Sequence, residues 1–392
     1  MASNPIDLPA ATAAGFAALK MGDANAARAC FERVVSAGTA DAAVWYGLSL
    51  VNRSIGASAE ENSALDQALT LDPRYLPALI AKGDWFSRSG DRRAANSYYR
   101  AVIKLAAMVP SLPPEWRADL QRVEAASQRF AREYEEHLLA ALAAGGLGGP
   151  GTDRFAHAVD LLLGKRQIYF QQPKYFFFPG LAHIQFFDRL QFPWAGALEQ
   201  ASEGIIAEVR AVAEAGTGVV PYIQRETNRP SFDTRGLLDN PDWGAFFLIK
   251  DGTTVAENAA RCPRTMAAIS ELPLCRIDGR TPSVLFSLLR PGARIPPHHG
   301  FVNTRLICHL PLIVPPRCGL RVGNETREWR EGELLIFDDS IEHEAWNLSG
   351  ELRVVLIFDI WRPELSDRER ALVSAMLTAI DRFDGPRRRW TE

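Results

Sequence analysis

Three glycines set the scale of the first third of the chain. Gly15, Gly47 and Gly83 lie 32 and 36 residues apart within residues 10–140, a stretch rich in alanine with apolar residues at three- and four-residue spacing. That spacing is helical, and glycine returning at such an interval marks a unit repeated along the chain. Each glycine leads a matching set. Gly15 is followed by Ala27, Phe31 and Val34, and Gly83 by Phe86, Ala95, Tyr99 and Val102. The middle unit needs two inserted residues before Leu65, Ala68 and Pro73 fall into line after Gly47. Small residues let paired helices approach, and an aromatic ring fills the gap between them.

The stretches "MGDANAARACFERVV" and "SGDRRAANSYYRAVI" resemble the turn and second helix of the tetratricopeptide repeat. The resemblance implies stacked helix pairs with a concave surface able to hold a peptide or a partner. A generic alanine-rich helical bundle is the alternative, and many such arrays only mediate dimerisation. A helix continues through "PPEWRADLQRVEAASQRFAREYEEHLLAALAA" until "AAGGLGGPGTD" breaks it with five glycines and a proline. The expected division is a helical repeat domain over 1–142, a glycine-rich linker or loop over 143–154 and a second domain over 155–392. "RFAHAVDLLLGK" and "WAGALEQASEGIIAEVRAVAEAG" read as further helices.

From about residue 275 the pattern changes. "SVLFSLL", "TRLICHLPLIV", "GLRVGN", "GELLIFDD" and "ELRVVLIFDIW" are short runs rich in Val, Ile, Leu and Phe, punctuated by Gly, Pro and Asn. Strands at this spacing suggest a sandwich or jelly-roll barrel rather than alternating βαβ units, and such a barrel carries functional groups at its mouth. The expected fold class is therefore α+β and multidomain: helical repeats followed by a double-stranded β-helix of jelly-roll, cupin-like form.

Composition narrows the function classes. A chain of 392 residues with net charge −3 and pI near 6.2 offers no basic footprint for nucleic acid. No run approaches the roughly 20 apolar residues of a spanning helix, and no export signal is visible in "MASNPIDLPAATAAG". The five cysteines form no CxxC, which argues against a zinc knuckle or a disulfide framework. No nucleic-acid partner, no membrane anchor and a cytoplasmic location are expected.

Four of the seven histidines, His298, His299, His309 and His343, fall within 46 residues. A mononuclear iron oxygenase needs two imidazoles, usually joined by a carboxylate two residues after the first. His298 and His343 have suitable separation, but the carboxylate position is Gly300. Blander readings stand beside this one. A histidine in the turn after "IPP" suits a surface, and His309 on an apolar strand with Leu306 and Leu310 suits a satisfied core. Arg353 opens "RVVLIFDIW", where a charge needs a partner or an anion. Ser287 could equally be a strand-face hydroxyl.

The stretch Pro282–Pro363 resembles the aspartyl/asparaginyl β-hydroxylase family of iron(II)/2-oxoglutarate oxygenases. "SVLFSLLRPGARIPPHHG", "NTRLICHLPL", "RVGNETREWREGELLIFDDSIEHEAWN" and "RVVLIFDIWRPEL" carry the resemblance, with "YFFFPGLAHIQFFDRLQFPW" and "CRIDGRTPS" ahead of them. The family uses H-x-G and lacks the metal carboxylate, so Gly300 fits its pattern.

The resemblance implies Fe(II), 2-oxoglutarate and O2 as cofactor and co-substrates. His298 and His343 would bind iron, and Arg353 with Ser287 would hold the distal carboxylate of 2-oxoglutarate. His309 and Arg305 would lie by the co-substrate, and Arg290, Arg294 and Arg305 would contact an anionic substrate. Trp346, Asp338 and Asp339 would serve packing and hydrogen bonding around the ligands. His299 has no assigned role and is read as exposed or outside the ligand set. Vertebrate members read R-L-R-x-H where this chain has Arg305, Leu306, Ile307, Cys308 and His309, so an arginine is replaced by Ile307. The expected reaction is hydroxylation of the β-carbon of Asp or Asn in a peptide, with the repeats helping to grip it. The same chemistry on a lipid acyl chain or a free amino-acid derivative, and a non-catalytic interaction module, are the alternatives.

Overall fold

The computed structural model describes residues 8–109, 113–149, 151–225 and 236–383. Two compact units emerge, Met1–Val159 and Asp160–Glu392.

The first unit is built from helix pairs: α1 (Leu8–Lys20) with α2 (Ala24–Ser36), α3 (Ala42–Ser54) with α4 (Ser58–Leu71), and α5 (Leu76–Arg88) with α6 (Arg92–Ala106). The long α7 (Arg117–Ala144) and the shorter α8 (Asp153–Leu162) follow. Aspartates at Asp23, Asp41 and Asp91 accept from backbone N–H groups and cap α2, α3 and α6. The periodic glycines have a direct cause. A Cβ at Gly15 would lie 2.7 Å from the Phe31 ring, and one at Gly47 would lie 2.4 Å from it, so one buried ring is gripped by two successive pairs. Gly83 holds Tyr99 in the same way at 2.5 Å. Gly47→Ala is expected to destabilise this unit by about 1–3 kcal/mol through overpacking, read as a lower denaturation midpoint of the helical unit with no change in the other.

The division between the units falls within α8, later than the expected boundary at 143–154. The glycine-rich stretch falls between α7 and α8, with Gly146, Gly148 and Gly151 at positive φ. Pro150, also in that stretch, lies outside the described residues.

The second unit contains strands β1 (Phe186–Phe187), β2 (Val220–Pro221), β3 (Trp243–Lys250), β4 (Thr253–Thr254), β5 (Val284–Leu289), β6 (Arg294–His298), β7 (Arg305–Ile313) and β8 (Cys318–Val322). Four more complete it: β9 (Glu325–Glu328), β10 (Leu335–Phe337), β11 (His343–Asn347) and β12 (Arg353–Trp361). The larger sheet runs β1-β10-β7-β12-β5-β3-β2, with β4 on β3, and the smaller runs β6-β11-β8-β9; every pairing is antiparallel. This is the double-stranded β-helix expected from the late strand runs. The sheet also begins earlier than the pattern suggested, because β3 precedes residue 275.

Period two then sorts the side chains. On β7, Leu306, Cys308, Leu310 and Leu312 join the outer core, and on β12 Val354, Leu356, Phe358 and Ile360 do the same. That core is covered by α9 (Ala195–Gln200), α10 (Ser202–Ala215) and α12 (Pro263–Ser270), through Leu198, Ile205, Val209, Val212 and Ile269. The short α11 (Ala256–Ala260) precedes α12. The opposite faces of β7 and β12, with Ile307, Val355 and Ile357, join Leu285 and Leu289 of β5 and meet Leu320, Val322 and Ala345 of the smaller sheet. The site lies in this space between the sheets. A last helix, α13 (Asp367–Arg382), opens with a capping box between Ser366 and Glu369. Its Asp381 pairs with Arg280 at 2.5–2.6 Å, both nearly buried.

Candidate functional site

Register brings the two distant histidines together. His298 ends β6, His343 opens β11, and the antiparallel pairing sets them directly opposite each other, with ring centroids 4.0 Å apart. Each ring makes the same second contact. Nδ1 of His298 lies 2.9 Å from the Pro296 carbonyl and Nδ1 of His343 lies 3.0 Å from the Ile341 carbonyl. A carbonyl only accepts, so each Nδ1 carries the proton and each Nε2 carries the lone pair, the tautomer a metal requires. Burial, and then the neighbouring His298, hold His343 well below the ordinary imidazole value, so it is neutral.

A cavity of about 120 Å³ opens beside this pair, lined by Ser287, His309, Arg305, Asp339 and Arg353 among apolar neighbours. Arg353 is 1% exposed. Its Nη1 reaches the Ser287 hydroxyl and carbonyl only at 3.4 Å, and its Nε has no hydrogen-bond partner. Among the described residues no carboxylate lies within ion-pair distance of it. Burial therefore pulls its pKa down to about 9. Ser287 is oriented from behind by the Trp243 indole, which donates to its hydroxyl at 3.1 Å and is itself stacked on Tyr222. That hydroxyl keeps its own proton to donate.

His309 shares the β7 face with Ile307, not with Leu306 and Leu310. Burial first and Arg353 second lower its pKa to about 3, and its buried Nδ1 has no partner. It is a neutral imidazole beside a cation rather than a satisfied core histidine.

Gly300 has a steric reason. A Cβ there would lie 2.1 Å from Asp339 Oδ2, so the absent side chain makes room for the Asp339 carboxylate. Burial raises Asp339 to about 7 against the pull of Arg305. Arg305 is committed to acids: Asp359 at 2.9 Å and Asp339 at 3.5 Å. It lines the cavity with its guanidinium already paired to these two acids. Arg290 and Arg294 are exposed and lie outside the cavity lining. Arg294 alternates with the inward Ile295 on β6 and points away. His299 is half-buried and likewise outside the lining.

Asp338 is fully buried and holds the leading segment down. It accepts from Arg362 and Gln171, both at 2.7 Å, while Asn303 donates to Gln171 and to the Phe178 carbonyl. Trp346 packs over Gly319. Sequence reasoning did not single out Asp359, Trp243 or Trp329. The signal for Asp359 was an acid inside the apolar run "VVLIFDIW", which burial obliges to find a cation.

A double-stranded β-helix with two facing imidazoles and a buried guanidinium in one cavity is the architecture of the C-terminal unit. Residues 199–363 match the aspartyl/asparaginyl β-hydroxylase family model. Relatives include the ornithine lipid ester-linked acyl 2-hydroxylase of Rhizobium tropici, 36% identical over 185 residues, which are 45% of this chain and 60% of that one. The mouse aspartyl/asparaginyl beta-hydroxylase is 38% identical over 149 residues, 37% of this chain and 19% of that one. The aspartate beta-hydroxylase domain-containing protein 2 of Xenopus tropicalis is 31% identical over 211 residues, 53% and 55% of the two chains. The chain thus spans 60% or less of the length of each of these relatives. Among solved structures, PcrH from Pseudomonas aeruginosa matches 32% of this chain and 93% of its own at 20% identity, with a TM-score of 0.29. No helix among the described residues is long and apolar enough to cross a membrane.

Proposed function

We propose that the C-terminal unit is an iron(II)- and 2-oxoglutarate-dependent hydroxylase. The observation that carries this reading is the buried, unpaired Arg353 guanidinium in the cavity that also holds the His298–His343 pair. An orphaned buried cation is costly unless an anion completes it. A five-carbon dicarboxylate suits the cavity: one carboxylate would meet the guanidinium fork and the Ser287 hydroxyl, leaving the 2-oxo acid end for a metal that His298 and His343 would hold. When bound, the metal with dioxygen and 2-oxoglutarate supplies the oxidative chemistry that hydroxylates a C–H bond. The chain's residues do the rest. His298 and His343 present lone pairs fixed by their carbonyl contacts, Arg353 and Ser287 orient the co-substrate, and His309 supplies a neutral imidazole beside it. The apolar lining excludes water.

The substrate given by the family's name is an Asp or Asn side chain, and in that reading the helical repeats would offer a surface to hold the peptide. A second reading, an uncharged acyl chain, is favoured by Ile307 facing the cavity and by the neutralisation of Arg305 by Asp339 and Asp359.

Anaerobic addition of iron(II) and then 2-oxoglutarate tests the reading without knowledge of the substrate. A visible charge-transfer band is expected in the wild type and lost in His343→Ala and Arg353→Ala. Iron binding without any band would reject 2-oxoglutarate as co-substrate. Decarboxylation stimulated by an acidic peptide or by an acyl lipid then separates the two substrates.

A further inference from the structure

The guanidinium of Arg353 needs something to hold it, and the obvious means are missing. No described carboxylate pairs with it, and its contacts to Ser287 at 3.4 Å are at the outer limit of a hydrogen bond. What lies against it is a ring. Arg353 Cζ sits 4.6 Å from the centroid of Trp329, on the turn between β9 and β10. Trp329 is 5% exposed, its ring centroid is 6.0 Å from that of His309, and its own N–H has no partner. It does not line the cavity, so it stands behind the groups that do.

We infer that Trp329 is a positioning residue for the co-substrate, its indole face holding the Arg353 guanidinium cationic and aimed into the cavity. This rests on the reading of the site proposed above. An aromatic face attracts a cation through its quadrupole without neutralising it. A carboxylate in the same place would orient the guanidinium equally well but would cancel the charge that the incoming anion needs. The ring therefore supports a cation that remains available. The turn "WREG", which follows β9, thereby controls affinity for the co-substrate from the far side of its anchor.

The test compares two 2-oxo acids in anaerobic titrations of the full chain with iron(II). 2-Oxoglutarate has a distal carboxylate for Arg353, whereas 2-oxobutyrate keeps only the chelating end. Trp329→Leu is expected to raise the Kd of 2-oxoglutarate roughly 30-fold, the worth of a desolvated cation–π contact. 2-Oxobutyrate should change less than about threefold, and Trp329→Phe, which keeps a ring face, should hold 2-oxoglutarate within about fivefold of wild type. Equal weakening of both ligands would show a merely structural ring and overturn the inference. So would wild-type 2-oxoglutarate affinity in Trp329→Leu, or a Phe variant as weak as the Leu variant. If the wild type binds neither acid, the parent reading of the site falls first and this inference falls with it. Should Trp329→Leu fail to fold by circular dichroism, the Phe variant decides through the ratio of its two affinities. A ratio that moves against 2-oxoglutarate supports the inference, and an unchanged ratio overturns it.

Discussion

Arg353→Met is expected to abolish 2-oxoglutarate binding and, in the same protein, to raise the stability of the C-terminal unit. The two effects have one cause. The guanidinium is 1% exposed with no described acid beside it, so folding strips its water and returns two long hydrogen bonds and the Trp329 ring face, none of which neutralises the charge. An unbranched apolar side chain of comparable length fills the space without the charge. A gain of about 1–4 kcal/mol is expected, the range seen when buried charges give way to packed apolar groups. Calorimetry of the ligand-free variant should show the β-rich unit melting several degrees higher, while 2-oxoglutarate, which shifts the wild-type transition, leaves the variant's unmoved. A lower melting temperature in the variant would mean that the guanidinium is satisfied after all. The effect of pH follows from the same burial. The folded pKa of about 9 lies below the ordinary arginine value, so between the two the unfolded chain binds the extra proton. The full penalty is present below pH 9 and is relieved as pH rises above it, so wild-type and variant stabilities should converge there. Affinity for 2-oxoglutarate in the wild type should fall over that same range, because the anchor loses its charge.

Gly300→Ala is expected to damage the site through Asp339. The new methyl would lie 2.1 Å from Asp339 Oδ2 and 2.3 Å from its Cγ. The backbone cannot yield easily, since the Gly300 N–H donates to the Asp339 carbonyl at 2.7 Å. The carboxylate must leave, and with it goes the 3.5 Å contact to Arg305. A cost of about 1–3 kcal/mol is expected for such overpacking. Asp339→Ala alone should be mild, because Arg305 keeps Asp359 at 2.9 Å. The decisive comparison is the double variant, which should recover most of the loss, with a coupling of about 0.5–3 kcal/mol in urea unfolding. Strict additivity would show that Gly300 is required for its backbone rather than for the room it leaves.

Much of this was legible in the sequence wherever a period carries the information. Gly15, Gly47, Phe31 and Tyr99 could be read as helix-packing positions because helical spacing places them on facing surfaces. The late strands could be read because turn residues bound them. Strand β3, "WGAFFLIK", was not read, since six of its eight residues are buried and no alternation distinguishes it from a buried helix segment. The His298–His343 contact is a matter of register, which no count of intervening residues contains. Which arginines reach the cavity is likewise set by strand alternation, which turns Arg294 outward beside the inward Ile295. Trp243 and Trp329 gave no signal, because what they do is set by what lies across a gap between sheets.

The two halves of the cavity belong to different sheets. The imidazoles stand on β6 and β11 of the smaller sheet, and the guanidinium and hydroxyl on β12 and β5 of the larger. No β-ladder joins the two sheets, so apolar side-chain packing and the Asn347 amide, which donates from β11 to the Leu289 carbonyl of β5 at 2.9 Å, hold the two walls at their separation. A molecule that grips a metal at one end and Arg353 at the other would act as a strut between them. The co-substrate would then be a cross-brace for the fold as well as a reactant, and each turnover that shortens it would briefly remove that brace.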